Sequence, residues 1–85
     1  MGRQLLVFVK NDCPRCPAAK ALGEKLRREG QMVRQFDVET ADGLAEASFY
    51  GVMATPTLIV VDEDEEVVAS WRGNVPPEDE LLARL

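Results

Sequence analysis

Apolar positions along the chain fall into two regimes, short continuous runs and helical periodicity. Gln4 to Val9 carries the run Leu-Leu-Val-Phe-Val, the composition of a strand covered on both faces. Asn11 and Asp12 interrupt it. From Cys13 the spacing predicts a helix, with Ala18, Ala19, Leu22 and Leu26 on one side and Gly30 where a left-handed residue closes it. Met32 to Val38 predicts a second strand, in which Val33 and Gln35 alternate only imperfectly against Arg34 and Phe36. Thr40 to Tyr50 predicts a second helix with Thr40 or Asp42 as N-cap, an apolar side of Leu44, Ala45, Phe49 and Val52, and Gly51 ending it.

Thr57 to Val61 is again a compact apolar run. Beyond the acidic turn Asp62 to Glu65, Glu66 to Trp71 returns as its antiparallel partner. Gly73 and the pair Pro76-Pro77 precede a last helix from about Pro77 to Leu85, with Pro77 at its first position. The resulting order is βαβαββα. A helix between two strands implies a right-handed parallel crossover, and the hairpin adds antiparallel pairing. The expected class is therefore α/β: a four-stranded mixed sheet with helices on both faces. Cys13 lies at the join of the first strand and first helix, where chemistry gathers in open sheets of this class.

Length sets the scale of this architecture. The 85 residues suit one domain, 1–85, with a modest core. With 46% apolar and 29% charged residues, the composition is that of a globular chain that folds without metal, cofactor or cross-links. Its apolar runs fall well short of the roughly 20 residues of a membrane span, and strand-like sequence follows Met1 almost at once, so a cytoplasmic protein with no membrane partner is expected. A formal charge of -5 argues against nucleic acid as a partner. Basic residues nevertheless crowd the first 34 positions (Arg3, Lys10, Arg15, Lys20, Lys25, Arg27, Arg28, Arg34). They are either solvated surface or a basic rim that orients an acidic partner, and both readings stay open. The stretch Asp62 to Glu66 reads as a solvated turn, lacking the glycine-punctuated spacing of a calcium loop.

The chain's two cysteines form the run Cys13-Pro14-Arg15-Cys16. Thiol-disulfide exchange needs an attacking thiolate, which a helix N-terminus favours through free N–H groups and the positive end of its dipole. Cys13 is placed for that role. Cys16, one turn further in, is placed to displace a mixed disulfide. Pro14 suits the first helical residue, Arg15 adds a positive charge, and Pro17 reads as part of the turn. Other readings are two inert buried cysteines, or half of a zinc site, for which no histidine or further cysteine is present. Haem attachment is excluded, because Pro17 stands where that motif requires histidine.

Two segments carry a resemblance over essentially the whole chain: Val-Phe-Val-Lys-Asn-Asp-Cys-Pro-Arg-Cys-Pro-Ala-Ala-Lys at 7–20 and Tyr-Gly-Val-Met-Ala-Thr-Pro-Thr-Leu-Ile-Val-Val at 50–61. With them the chain resembles the thioredoxin and glutaredoxin superfamily, specifically its small glutaredoxin-like redoxins. The resemblance implies a cis bond before Pro56, beside the cysteines, and a Thr55 backbone that pairs with a bound substrate strand. Lys10, Pro14 and Arg15 would complete the substrate-binding surface, Lys10 matching a lysine that glutaredoxins share. The chain departs from thioredoxins at Asp12, where they carry Trp, and at Val7, where they carry a buried Asp. It departs from glutaredoxins at Arg15 and at Arg72-Gly73-Asn74.

The function expected is therefore that of a monomeric dithiol oxidoreductase that reduces protein disulfides, with Cys13 as nucleophile and Cys16 resolving. A reductase or glutathione would supply electrons. The alternatives are a glutathione-dependent glutaredoxin and a soft-metal (copper) carrier using the same pair, although Asn11 stands where copper modules usually place Met. Trp71 is expected to cover the sheet edge, with a place in the substrate groove as the other option. Phe49 and Tyr50 are expected to pack the second helix on the sheet.

Overall fold

A computed structural model describes residues 2–85. The element order is β1 (Gln4–Val9), α1 (Cys16–Arg28), β2 (Val33–Asp37), α2 (Ala41–Phe49), β3 (Thr57–Val61), β4 (Val67–Arg72) and α3 (Glu78–Leu82). The sheet order is β2-β1-β3-β4, with β1 parallel to β2 and antiparallel to β3, and β3 antiparallel to β4. The expected four-stranded mixed sheet with helices on both faces is the one observed.

The two central strands explain the continuous apolar runs. Leu5, Val7, Val9, Leu58 and Val60 point to one face, where Cys16, Ala19 and Leu26 of α1 and Leu81 of α3 cover them. Leu6, Phe8, Ile59 and Val61 point to the other, beneath Ala47 of α2. Side chains alternate along a strand, so a strand covered on both faces must be apolar at every position. Full burial of one large apolar side chain contributes about 1.5–3 kcal/mol, and β1 and β3 together supply nine core residues of this kind.

Both crossover helices close on a left-handed glycine. At the end of α1 the Gln31 N–H donates to the Leu26 carbonyl and the Gly30 N–H to that of Arg27, with Gly30 at φ 97°. Gly51, at φ 65°, ends α2 likewise: Val52 N–H reaches Ala47 O and Gly51 N–H reaches Ser48 O. Thr40 caps α2, its hydroxyl accepting from Gly43 N–H at 3.0 Å.

Several local expectations are corrected. Helix α1 begins at Cys16, with Arg15 as N-cap, so Pro14 lies in the preceding turn and Pro17 is the helix's second residue. A proline is tolerated there because first-turn N–H groups have no helical acceptor. The Cys13 carbonyl instead accepts from Cys16 N–H at 3.2 Å. Ala18 is exposed, and Gly23 takes its place on the buried face, where an added Cβ would lie 3.2 Å from the Val7 side chain. Pro77 is the N-cap of α3, not its first helical residue, and the helix ends at Leu82.

The largest correction concerns α2. Its buried face is Gly43 and Ala47, while Leu44, Ala45 and Phe49 are exposed. Small residues let the helix approach closely: a Cβ on Gly43 would overlap the Asp37 carbonyl. Tyr50, in contrast, packs on the sheet as expected, its ring centroid 6.3 Å from that of Phe8, which also stacks on Phe36 at 5.3 Å. Arg34 lies over the Phe36 ring.

Two predictions follow from this packing. Helix propensity alone would make Gly43→Ala stabilising by up to about 1 kcal/mol. The overlap with Asp37 reverses the sign, and urea denaturation should show a loss above about 2 kcal/mol. Burial, and then the charges of Glu65 and Glu46, push the Tyr50 hydroxyl above its ordinary range, with Arg34 opposing. The unfolded chain thus releases this proton first, so the Tyr50 contribution is intact below pH ~10 and is lost as pH rises through the folded value. Tyr50 is the chain's only tyrosine, so absorbance titration should place its midpoint above ~10, and Tyr50→Phe should flatten the alkaline fall in stability.

Candidate active site

Strand directions bring three loops to one edge of the sheet. Phe8 pairs with Thr57, and Thr57 pairs with Arg72. The residues after β1 (Lys10 to Cys13), before β3 (Thr55-Pro56) and after β4 (Gly73) therefore share that edge. Parallel pairing of Val9 with Asp37 adds the loop leading into α2.

Asn11 and Asp12 turn the chain from β1 toward α1, with Asp12 in the left-handed region at φ 56°. Asn11 N–H donates to the Glu39 carboxylate at 3.2 Å, which ties this turn to the β2–α2 loop. Cys13 follows, half-buried, and Cys16 opens α1 with 1% exposure. Their sulfurs are joined as a disulfide across a Cα–Cα separation of 5.3 Å, within the range such bridges span. No acidic residue lies in the first turn of α1 and no side chain caps it. The positive end of the helix dipole is thus left to the cysteine turn.

The Thr55-Pro56 bond is cis, as the resemblance implied. This loop is held from two sides. Thr57 is completely buried, and its hydroxyl donates to the Ala54 carbonyl at 2.7 Å. The Pro56 carbonyl accepts from Gly73 N–H at 2.8 Å. Gly73 connects onward: its carbonyl accepts from Arg15 Nη1 at 3.4 Å. The Arg15 side chain is thus directed to the Gly73 loop and bridges the cysteine turn to it, a role that spacing gave no sign of. Arg72 reinforces the same end, donating to the carbonyls of Gly51 and Tyr50.

Lys10, Val38, Leu44, Ala47, Val52, Met53, Ala54 and Thr55 line an open cleft of about 170 Å³ at this edge. Lys10 and Thr55, both expected near the site, thus share one cavity. Leu44 and Met53 are additions: they are 57% and 94% exposed, and nothing in periodicity marks them as site residues. Pro14 is exposed on the cysteine turn. Trp71 lies half-buried on the α1 side with Cys13 and Val75, and its indole N–H donates to Glu80 at 2.6 Å. Val7 fills a core position 1% exposed. Phe49 does not pack on the sheet; it is 69% exposed and meets Tyr50 edge to face. The acidic turn is organised by Asp62, whose carboxylate accepts from the N–H groups of Asp64 and Glu66. Among the described residues no group of three or more His, Cys, Asp or Glu is placed to hold a metal ion, and no helix is long and apolar enough to cross a membrane.

A family model described as a thioredoxin domain matches residues 3–85. A probable thioredoxin of Archaeoglobus fulgidus is 33% identical over 58 residues, which is 67% of this chain and 64% of the relative's length. The chain therefore spans less than two thirds of that curated relative. Among solved structures, a mutant thioredoxin from Halobacterium salinarum superposes with a TM-score of 0.78 at 30% identity, covering 94% of this chain and 68% of that one. A reduced thioredoxin pre-protein from Schistosoma mansoni gives 0.75 at 20% identity, covering 96% and 74%, a likeness of fold.

The Thr57 hydroxyl tests how the site is held. Thr57→Val keeps the shape but leaves the Ala54 carbonyl without that donor, and should lower stability by about 1 kcal/mol. The Gly73 amide, bonded to the loop that Thr57 anchors, should exchange its hydrogen faster in the variant.

Proposed function

The chain belongs to the thioredoxin family, and on that footing we propose that it is a thiol-disulfide oxidoreductase that reduces protein disulfides. The observation that carries this reading is the Cys13–Cys16 disulfide at the uncapped start of α1, on the same sheet edge as cis Thr55-Pro56. Cys13, the more exposed of the two cysteines, attacks one sulfur of the substrate disulfide as thiolate. The second substrate sulfur leaves as a thiolate and takes a proton. Cys16 then attacks the Cys13 sulfur of the mixed disulfide, releasing the substrate's first sulfur and leaving Cys13 joined to Cys16. Two electrons have moved to the substrate, and an external dithiol or a pair of glutathione molecules must restore them.

Each surrounding residue has a part in this reading. Thr55 presents its backbone to a substrate strand, and Pro56 lacks the N–H that would need a partner there. Arg15 acts through Gly73, keeping the loop that bonds to Pro56 against the cysteine turn. Pro14 holds the turn between the cysteines, and Lys10 supplies a cation at the cleft.

A glutathione-reduced form of the same reaction is favoured by one observation, that Lys10 and Thr55 line a single cleft large enough for part of a small thiol peptide. Regeneration separates the donors: turnover coupled to glutathione and glutathione reductase supports that form, and turnover coupled only to a thioredoxin reductase opposes it.

The central experiment uses dithiothreitol-driven insulin reduction. Cys13→Ser should fall to the uncatalysed background. Cys16→Ser should accumulate a mixed disulfide at Cys13, visible by non-reducing electrophoresis. Activity retained in Cys13→Ser would reject the reading.

A further inference from the structure

Four sulfur-bearing side chains lie in the described residues, and their accessibility is unequal. Cys13 and Cys16 are joined to each other, and Cys16 is buried. Met32, just before β2, is 60% exposed. Met53 is 94% exposed, the highest value of any large apolar side chain among the described residues, and it sits two residues before Thr55 on the wall of the cleft. Of the residues that share this cleft, Val38, Leu44, Ala47, Val52 and Ala54 are apolar, and Lys10 and Thr55 are its polar members. Among the described residues Met53 is thus, in the disulfide state, the thioether most open to a soluble oxidant, on a surface whose other side chains give that oxidant nothing to react with.

We propose that Met53 is a peroxide-sensitive modification site whose sulfoxide weakens the docking of disulfide substrates in this cleft; the docking part rests on the function proposed above. Hydrogen peroxide supplies one oxygen to the thioether. A sulfur–oxygen bond forms as the oxygen–oxygen bond breaks, sulfur is oxidised by two electrons, and the peroxide is reduced to water. The product replaces a flexible apolar side chain with a polar, strongly hydrogen-bond-accepting one. On this wall the change removes apolar contact for the flank of a substrate without touching Cys13 or Cys16. It therefore acts on substrate affinity, not on exchange chemistry, and methionine sulfoxide reductase can reverse it.

The test begins with the disulfide form of the whole chain, in which the cysteines are protected, exposed to limiting hydrogen peroxide and then to catalase. Peptide mass spectrometry should find a single added oxygen on Met53 before Met32. In the insulin assay the oxidised protein should show KM raised about fivefold with kcat retained. Methionine sulfoxide reductase should restore KM, Met53→Gln should mimic the rise, and Met53→Leu should show no further change on peroxide treatment. Oxidation of Met32 as fast as Met53, an unmoved KM at full Met53 oxidation, or an equal KM rise in peroxide-treated Met53→Leu would each overturn the inference. A protein that reduces no disulfide yet oxidises selectively at Met53 would reject the proposed function while upholding the modification site.

Discussion

Burial of β1 and β3 on both faces is the constraint from which the rest of the structure proceeds. Each of these strands needs one helical layer above and one below, and only a sheet with β1 and β3 at its centre and β2 and β4 at its edges provides that. Helices α1 and α3 cover one face and α2 the other. Once β1 is central and α1 must cross over it to reach β2, the β1–α1 turn is forced to the end of the sheet where β1 stops. The cysteines occupy that turn.

The same arrangement explains why distant segments meet the cysteines. Antiparallel pairing of β3 with β1 puts the start of β3 beside the end of β1, and β4 ends beside the start of β3. Thr55-Pro56 and Gly73 therefore arrive at the cysteine edge by register alone. Hydrogen bonds then hold them there: Thr57 to Ala54, Gly73 to Pro56, and Arg15 to Gly73. Ion pairs contribute differently. Lys25 with Glu78 joins α1 to α3, and Glu24 with Arg27 lies along α1, but both pairs are exposed and screened by water, so they trim the surface more than they hold the fold.

Close approach of helices to the sheet depends on residues that carry no hydrophobic signal. Gly23 meets Val7 beneath α1, and Gly43 lies against the Asp37 carbonyl beneath α2. A buried Val7 against Gly23 leaves that part of the core without a carboxylate. Among the described residues, Thr57 is the one polar side chain in the buried set, and its hydroxyl is hydrogen-bonded. The chemistry of the site is accordingly confined to the sheet edge, where water has access.

The order of elements, the centrality of the two apolar strands and the position of Cys13 at a strand–helix join were all legible in the sequence, because continuous apolar runs, caps and left-handed glycines are local signals. The cis Thr55-Pro56 bond was legible only through the resemblance, since spacing alone reads as a plain turn into a strand. Tertiary structure decided the remainder. The choice of helix face that puts Gly43 and Ala47 inward and Leu44 and Phe49 outward follows from how near α2 lies to Asp37, which periodicity does not encode. The direction of Arg15 depends on Gly73, 58 residues away, and the cleft joining Lys10 to Leu44, Met53 and Thr55 exists only where separate chain segments come together. Local patterns determine which elements form and which faces must be covered; what stands opposite a given side chain is set by the packing that covers them.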